Sequence, residues 1–231
     1  MQKGMEKNIT VVIPTFEMGG KGREYLKHSL DVLNEQIYRD FDVVVSDQST
    51  YFAQQQMQDL CKHYPFVKYF HNKEGVGSSS ANLNNGISKA TGKIIKVLFQ
   101  DDFLFNDLAL HTIARYFVKG WLVTACEHYQ DGMYYRPFYP EYNKDILKGI
   151  NTISSPSVLA FENKDPLLFD EKLNWMMDCD YYHRLNERYG KPTTCDIITV
   201  VNRTHEEQQS NLLTPKDKEK ELTYIKEKYG K

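Results

Sequence analysis

The chain has 231 residues, of which 41% are hydrophobic and 26% charged, a balance that places it among folded globular proteins and excludes a disordered one. A formal net charge of −2 excludes the broad basic surface on which nucleic-acid binding rests. The first apolar run, Ile9–Ile13, is far short of the ~20 residues that span a bilayer, so the expectation is a soluble cytoplasmic chain, in contact with a membrane only peripherally at its cytoplasmic face. Cys61, Cys126, Cys179 and Cys195 are too scattered for a zinc site or a redox CxxC and read as buried free thiols.

In chain order, Ile9–Ile13 reads as a buried strand ended by Pro14, followed by a loop with Gly19, Gly20 and Gly22. Leu26, Leu30, Leu33 and Ile37 then recur at helical spacing, and Phe41–Val45 is a second β-branched run ending at Ser46-Asp47. Phe52–Tyr64 is a predicted helix, Val67–Phe70 a strand, Ser78–Ala90 a helix and Ile94–Phe99 a strand. Strands alternating with crossover helices predict a parallel sheet with a polar-free middle, in which ligands collect beyond the carboxyl ends of the strands. Asp47 and the Asp101-Asp102 pair fall at such ends.

Further on, Leu108–Val118 reads as a helix, Trp121–Cys126 as a strand, and Asp131-Gly132 as a hairpin turn between aromatic runs. Ser154–Phe161 leads into another strand, Asp178–Tyr189 is a predicted helix closed by Gly190, and Ile197–Val201 is the last strand. Thr214 and Pro215 open a short amphipathic tail helix carrying Leu222, Ile225 and Tyr229 on one side.

Adjacent carboxylates repel, so Asp101-Asp102 at a strand end suits a hard divalent cation or, more plainly, a solvated loop. Asp47 has the alternative of capping the following helix. The loop His71–Gly77 matches neither a phosphate loop nor a dinucleotide fingerprint, although its glycines allow close backbone approach. Asp178 and Asp180 stand two apart at a helix start, so only one can face a given pocket, and Asp180 has Arg184 four residues on as a partner. For Asp178, burial and the helix start act on proton affinity in opposite directions, so no net direction is predicted. Arg203 and His205 are open between surface, metal and phosphate roles.

Several segments together resemble the family 2 glycosyltransferases of the GT-A fold over roughly residues 9–205: Val11–Phe16, Val43–Thr50, Asn72–Gly77 with Ser80–Ile87 and Ala90–Lys93, Val97–Asp102, Ile153–Val158, Asp178–Leu185 and Arg203-Thr204-His205. The resemblance implies a three-layer α/β/α sandwich with a mostly parallel nucleotide-binding sheet, formed by a single domain over 1–231. Within it, about 1–103 would bind the nucleotide sugar, 104–205 the acceptor, and 206–231 would form the tail helix. It implies an inverting transferase using Mn2+ or Mg2+ and a nucleotide diphosphate sugar, a UDP-sugar by default, with a glycan or glycolipid acceptor. Asp102 and His205 would attend the metal; Pro14, Thr15, Glu17, Asp47, Asn82 and Asp101 the donor; Asp178 would be the catalytic base. Ser46, Phe99 and Met177 stand where relatives carry acids, which motivates a catalytically silent glycan-binding protein as one alternative. The run Gly19-Gly20-Lys21-Gly22-Arg23 motivates a nucleotidyltransferase as the other.

Overall fold

The computed structural model describes residues 8–206 and 208–230. Strand β1 (Ile9–Thr15) and strand β2 (Phe41–Asp47) are buried along their whole length, as runs of Ile and Val covered on both faces must be. Helix α1 (Gly22–Glu35) connects them and buries Leu26, Leu30 and Leu33. Ile37, expected on the same face, instead lies past the helix end and is 51% exposed. Gln36 ends the helix there and uses its side-chain amide on the carbonyls of Val32 and Asn106. Helix α2 (Tyr51–Cys61), strand β3 (Val67–His71), helix α3 (Ser79–Lys89) and strand β4 (Ile94–Val97) complete the first half.

The second half adds strand β5 (Phe103–Leu104), helix α4 (Ala109–Tyr116), strand β6 (Trp121–Gln130), strand β7 (Met133–Tyr134) and strand β8 (Leu159–Glu162). Helix α5 (Met177–Tyr189), strand β9 (Thr193–Arg203), helix α6 (Gln209–Leu212) and helix α7 (Pro215–Tyr229) follow. All strands join one sheet in the order β3-β2-β1-β4-β8-β6-β9-β5, with β7 as a hairpin on β6. The β3-β2-β1-β4 portion is wholly parallel, whereas β8 runs antiparallel to both β4 and β6. With helices on the sheet this is a three-layer α/β/α sandwich. The β6-β7 turn has Asp131 at φ 50° and Gly132 at φ 88°, the left-handed pair a tight hairpin requires.

The expectation of a polar-free sheet centre is corrected by Lys96. Its side chain is fully buried in β4, with Nζ donating to the carbonyl of Ser157, and burial pushes its pKa down to about 7. Thr10 and Asp42 are likewise buried, the Asp42 carboxylate accepting from Thr10 (2.6 Å) and from Lys68 (2.7 Å) at the edge. The four cysteines are free and buried.

Helix α7 closes the structure. It opens on a reciprocal cap between Thr214 and Asp217, buries Ile225, and packs Leu222 and Tyr229 against the core. Its last turn meets α5 at Asp180, a fully buried carboxylate that accepts from Arg184 Nε (2.7 Å), Lys228 Nζ (2.7 Å) and the Tyr229 hydroxyl (2.6 Å). Asp180 thus has the structural occupation that its spacing to Arg184 suggested, and gains two partners from α7. Removing it takes the carboxylate partner from Arg184 and one of two from Lys228, which keeps Asp170, and these side chains are only 22% and 24% exposed. Asp180→Ala is therefore expected to lower the unfolding free energy in urea by about 3 kcal/mol, the low end for a broken buried pair because both cations keep some solvent; an unchanged midpoint would contradict the clamp.

Candidate active site

Beyond the end of β4 the chain makes a tight turn through Gln100-Asp101-Asp102. Remote groups fix it from several sides. Gln100 is buried and its amide spans two backbones, accepting from Phe16 N (2.8 Å) and donating to Gly22 O (2.6 Å). A side chain at Gly22 would collide with Phe16 O, at 2.1 Å from an added Cβ, so α1 can begin there only on glycine. Arg203, at the end of β9, donates its backbone N–H to Asp102 Oδ1 (3.0 Å) and its Nε to Asp101 O (3.0 Å). The Arg203 guanidinium is sandwiched among Tyr25, Phe103 and Tyr129, 4.7–5.4 Å from the ring centroids, and so faces away from the cleft.

Asp101 and Asp102 line a cleft of about 600 Å³ together with Asp178. Asp102 is nearly enclosed; its Oδ2 also accepts from Ser155 (3.2 Å). Burial and the neighbouring Asp101 charge raise its proton affinity, against the hydrogen bonds that oppose the shift. Asp101 Oδ2 lies 2.9 Å from His205 Nε2, while His205 Nδ1 is buried without a partner among the described residues. Among those residues no three His, Cys, Asp or Glu side chains close into a complete cation cage.

Asp178 sits in the first turn of α5, partly open to the cleft and otherwise surrounded by protein. Oδ1 accepts from Cys179 N (2.7 Å) and Oδ2 from Asn151 Nδ2 (2.6 Å). Burial outweighs these bonds and pushes the carboxyl up to about 6, a direction the sequence alone did not give. Asn151 does more than touch Asp178. Its Oδ1 accepts from the backbone of Ile153 and Ser154, and its Nδ2 reaches Ser154 O (3.0 Å). Ser154 is thereby held at φ 92°, a strained conformation for a non-glycine residue, with the Tyr182 hydroxyl on its carbonyl and Asn202 on its Oγ.

Phe99, Met177, Cys179 and Thr204 also line this cleft, whereas Pro14, Thr15, Glu17, Asp47, Asn82 and His205 lie apart from its lining. Asp47 is fully buried at the end of β2, its Oδ1 accepting from Thr15 Oγ1 (3.1 Å) and Ser49 N (3.0 Å) and its Oδ2 from the Tyr69 hydroxyl (2.6 Å). Pro14 and Thr15 pair with Ser46 and Asp47 across β1 and β2. Asn82 donates to Thr15 O (3.0 Å) and accepts from Ser46 Oγ (2.7 Å), so Ser46 has an internal partner where relatives carry an acid. The Glu17 carboxylate accepts from Thr50 N (2.9 Å) at the start of α2. The His71–Gly77 loop is pinned by Gln48, whose amide donates to Glu74 O and Gly75 O.

The sequence reading missed Asn151, Asn202, Arg136 and His128, all of which line the cleft. Asn151 and Asn202 carry no pattern on their own. His128 and Arg136 are brought together because the chain after the hairpin folds back on β6, with Phe138 N donating to Cys126 O. The aromatic density of that stretch was the one available signal.

A family model described as "Glycosyl transferase family 2" matches residues 10–186. The chain is 28% identical over 114 residues to GalNAc(5)-diNAcBac-PP-undecaprenol beta-1,3-glucosyltransferase of Campylobacter jejuni, covering 49% of this chain and 35% of that protein. It is 28% identical over 102 residues to an uncharacterized glycosyltransferase of Rickettsia conorii, covering 44% of this chain and 16% of the other. Among solved structures, S. aureus TarS 1-349 in complex with UDP-GlcNAc aligns with a TM-score of 0.68 at 14% identity, over 94% of this chain and 66% of that one. The mannosyltransferase PcManGT of Pyrobaculum calidifontis in complex with GDP-Man and Mn2+ aligns at 0.62 and 16% identity, over 90% and 59%. The chain spans less than two thirds of each of these relatives' own length.

The packing around Asp47 generates a stability test. Asp47→Ala leaves the Ser49 N–H and two hydroxyls with a lost acceptor in a buried setting, and is expected to cost about 2–4 kcal/mol in chemical unfolding. Tyr69→Phe, which removes one donor, is expected to cost about 1 kcal/mol. Equal and negligible losses in both variants would contradict the buried network.

Proposed function

Because this chain belongs to glycosyl transferase family 2, we propose that it transfers a sugar from a nucleoside diphosphate donor to an acceptor hydroxyl, inverting the anomeric centre, with a divalent cation at Asp101-Asp102 and Asp178 as base. The observation that carries this reading is the meeting, in one cleft, of an adjacent carboxylate pair at a strand end and a separate carboxylate whose proton affinity burial has raised.

The donor set fits Mn2+ or Mg2+ as a site completed by substrate. Such cations take one or two carboxylates and fill the remaining positions with phosphate oxygens and water. Adjacent carboxylates on a nearly enclosed turn, with His205 Nε2 2.9 Å from Asp101, would supply that chemistry without a third acid. Asp102 and Asp101 would hold the cation with His205 as the neighbouring nitrogen donor. Bound there, it would supply positive charge to the leaving diphosphate. Pro14, Thr15, Glu17, Asp47 and Asn82 would frame the nucleoside end, Asp47 through the turn it closes and not by direct contact.

In the same cleft, Asn151 holds Asp178 Oδ2 and would leave the carboxylate open to an acceptor. The acceptor oxygen attacks the anomeric carbon, its proton passes to Asp178, and the bond from that carbon to the diphosphate oxygen breaks with its electron pair leaving on the nucleotide. A base with a pKa near 6 is ionised at neutral pH and still binds a proton better than an ordinary aspartate. The donor class is supported by similar folds that hold UDP-GlcNAc and GDP-Man, with a UDP-sugar as first choice. A glycan or glycolipid acceptor is supported by the polyprenyl-linked saccharide in the name of the Campylobacter relative.

Asp178→Asn is expected to bind nucleotide sugar as the wild type does and to lose ~10²–10⁴ in kcat. Because only the ionised carboxylate accepts a proton, wild-type kcat is expected to fall as pH drops through about 6; steady-state kinetics on both proteins check this, and near-normal turnover in the variant contradicts it. Asp102→Asn is expected to abolish most Mn2+ activation while the protein stays folded, measured as activity against metal concentration. Full activation in that variant would remove Asp102 from the cation site.

A further inference from the structure

Helix α5 has no side-chain cap at Met176, its first flanking residue, and within its first turn only Asp178 answers a backbone donor, that of Cys179. The backbone N–H groups of Asn174, Trp175 and Met176 lead into this end, that of Met176 being the first of the donors a helix start leaves unpaired. All three are met by one carboxylate from a distant helix. Glu221 of α7 accepts from Asn174 N (3.1 Å), from Trp175 N (3.3 Å to one oxygen and 3.0 Å to the other) and from Met176 N (2.8 Å).

What lies on either side of this contact gives it a consequence. Trp175 lines the cleft and packs its ring on Gly149, where an added Cβ would stand 2.8 Å from Cη2, and Lys218 of α7 lies over the same ring at 5.5 Å. Asp178 is two residues beyond Met176 and also lines the cleft. We propose that Glu221 is a positioning residue for the reaction: by occupying three backbone donors at the head of α5 it fixes Trp175 and keeps the Asp178 carboxylate free to face the acceptor. This rests on the reading of Asp178 as base. Without Glu221 those three N–H groups compete for the carboxylate two residues past Met176, and capping them would draw Asp178 away from Asn151 and the cleft.

The far end of α7 provides the control. Lys228 bonds Asp170 (2.6 Å) and Asp180 (2.7 Å) and touches neither Asn174, Trp175 nor Met176. Lys228→Met loosens the same helix on the same neighbour without uncapping the head of α5.

The test compares kcat, KM for donor and urea unfolding in Glu221→Ala, Glu221→Gln, Lys228→Met and Asp178→Asn. Glu221→Ala is expected to lose ~10–100-fold in kcat, the scale of a misplaced catalytic group, with donor KM within about twofold of wild type. Glu221→Gln, which keeps one acceptor oxygen, should recover part of that loss, and carries the test should the alanine variant fail to fold. Lys228→Met should keep kcat within about twofold while losing stability. The proposal is overturned by wild-type kcat in both Glu221 variants, or by an equal kcat loss in Lys228→Met, which would make α7 a general brace. Should Asp178→Asn keep its turnover, the base assignment falls and Glu221 positioning with it; should Asp178→Asn collapse while the Glu221 variants match wild type, the positioning claim alone falls.

Discussion

The site depends first on Arg203. Its backbone N–H neutralises one oxygen of Asp102 and its guanidinium holds the Asp101 carbonyl, so the last strand of the sheet grips a turn 101 residues earlier in the chain. Adjacent acids on a nearly enclosed turn repel each other and resist desolvation, and a protein keeps such a turn in place only with donors around it. Arg203 supplies two of them and is itself fixed, between Tyr25 of α1, Phe103 of β5 and Tyr129 of β6, with His28 Nδ1 at 2.9 Å from its terminal nitrogen. Three elements distant in sequence, α1, β6 and β9, thus converge on the acidic turn and the short strand β5 that follows it.

The same residue type does different work at each place the chain uses it. Asp42 is consumed by the Thr10 hydroxyl and the Lys68 ammonium, Asp47 by two hydroxyls and an amide, and Asp180 by two cations and a phenol between helices. Asp178 differs because its donors are few and one of its faces looks into the cleft, so desolvation prevails and the carboxyl becomes a better proton acceptor. Asp101 and Asp102 differ again, since each is the other's destabilising neighbour. Function follows from which acids are left incompletely answered by the protein.

Much of this was legible. Ile9–Ile13 and Phe41–Val45 announce themselves because a strand covered on both faces has to be continuously apolar, and the Asp178/Asp180 choice could be made because a two-residue offset and an i+4 arginine are local facts. β6 and β9 run longer than their apolar cores, to Gln130 and from Thr193, since their outer parts are half-solvated and carry polar residues that no periodicity marks. Lys96 could not be read as a core residue, because the carbonyl that receives its proton lies 61 residues away. Asn151 and Asn202 escaped for the same reason: small polar side chains acquire meaning only when the fold brings them beside an acid or its neighbours. Asp47 shows the converse, a residue singled out by motif whose buried partners, above all Tyr69, could be known only from packing.

The most direct measurement of the central claim follows a panel of nucleotide sugars with the wild-type protein and Mn2+ by phosphorus and proton NMR, first without an acceptor and then with lipid-linked and free saccharides. The account predicts that one donor is consumed with release of its nucleoside diphosphate, and that the sugar appears in the product with the anomeric configuration opposite to the donor's. Release of pyrophosphate, or a product that retains the donor's configuration, would contradict it.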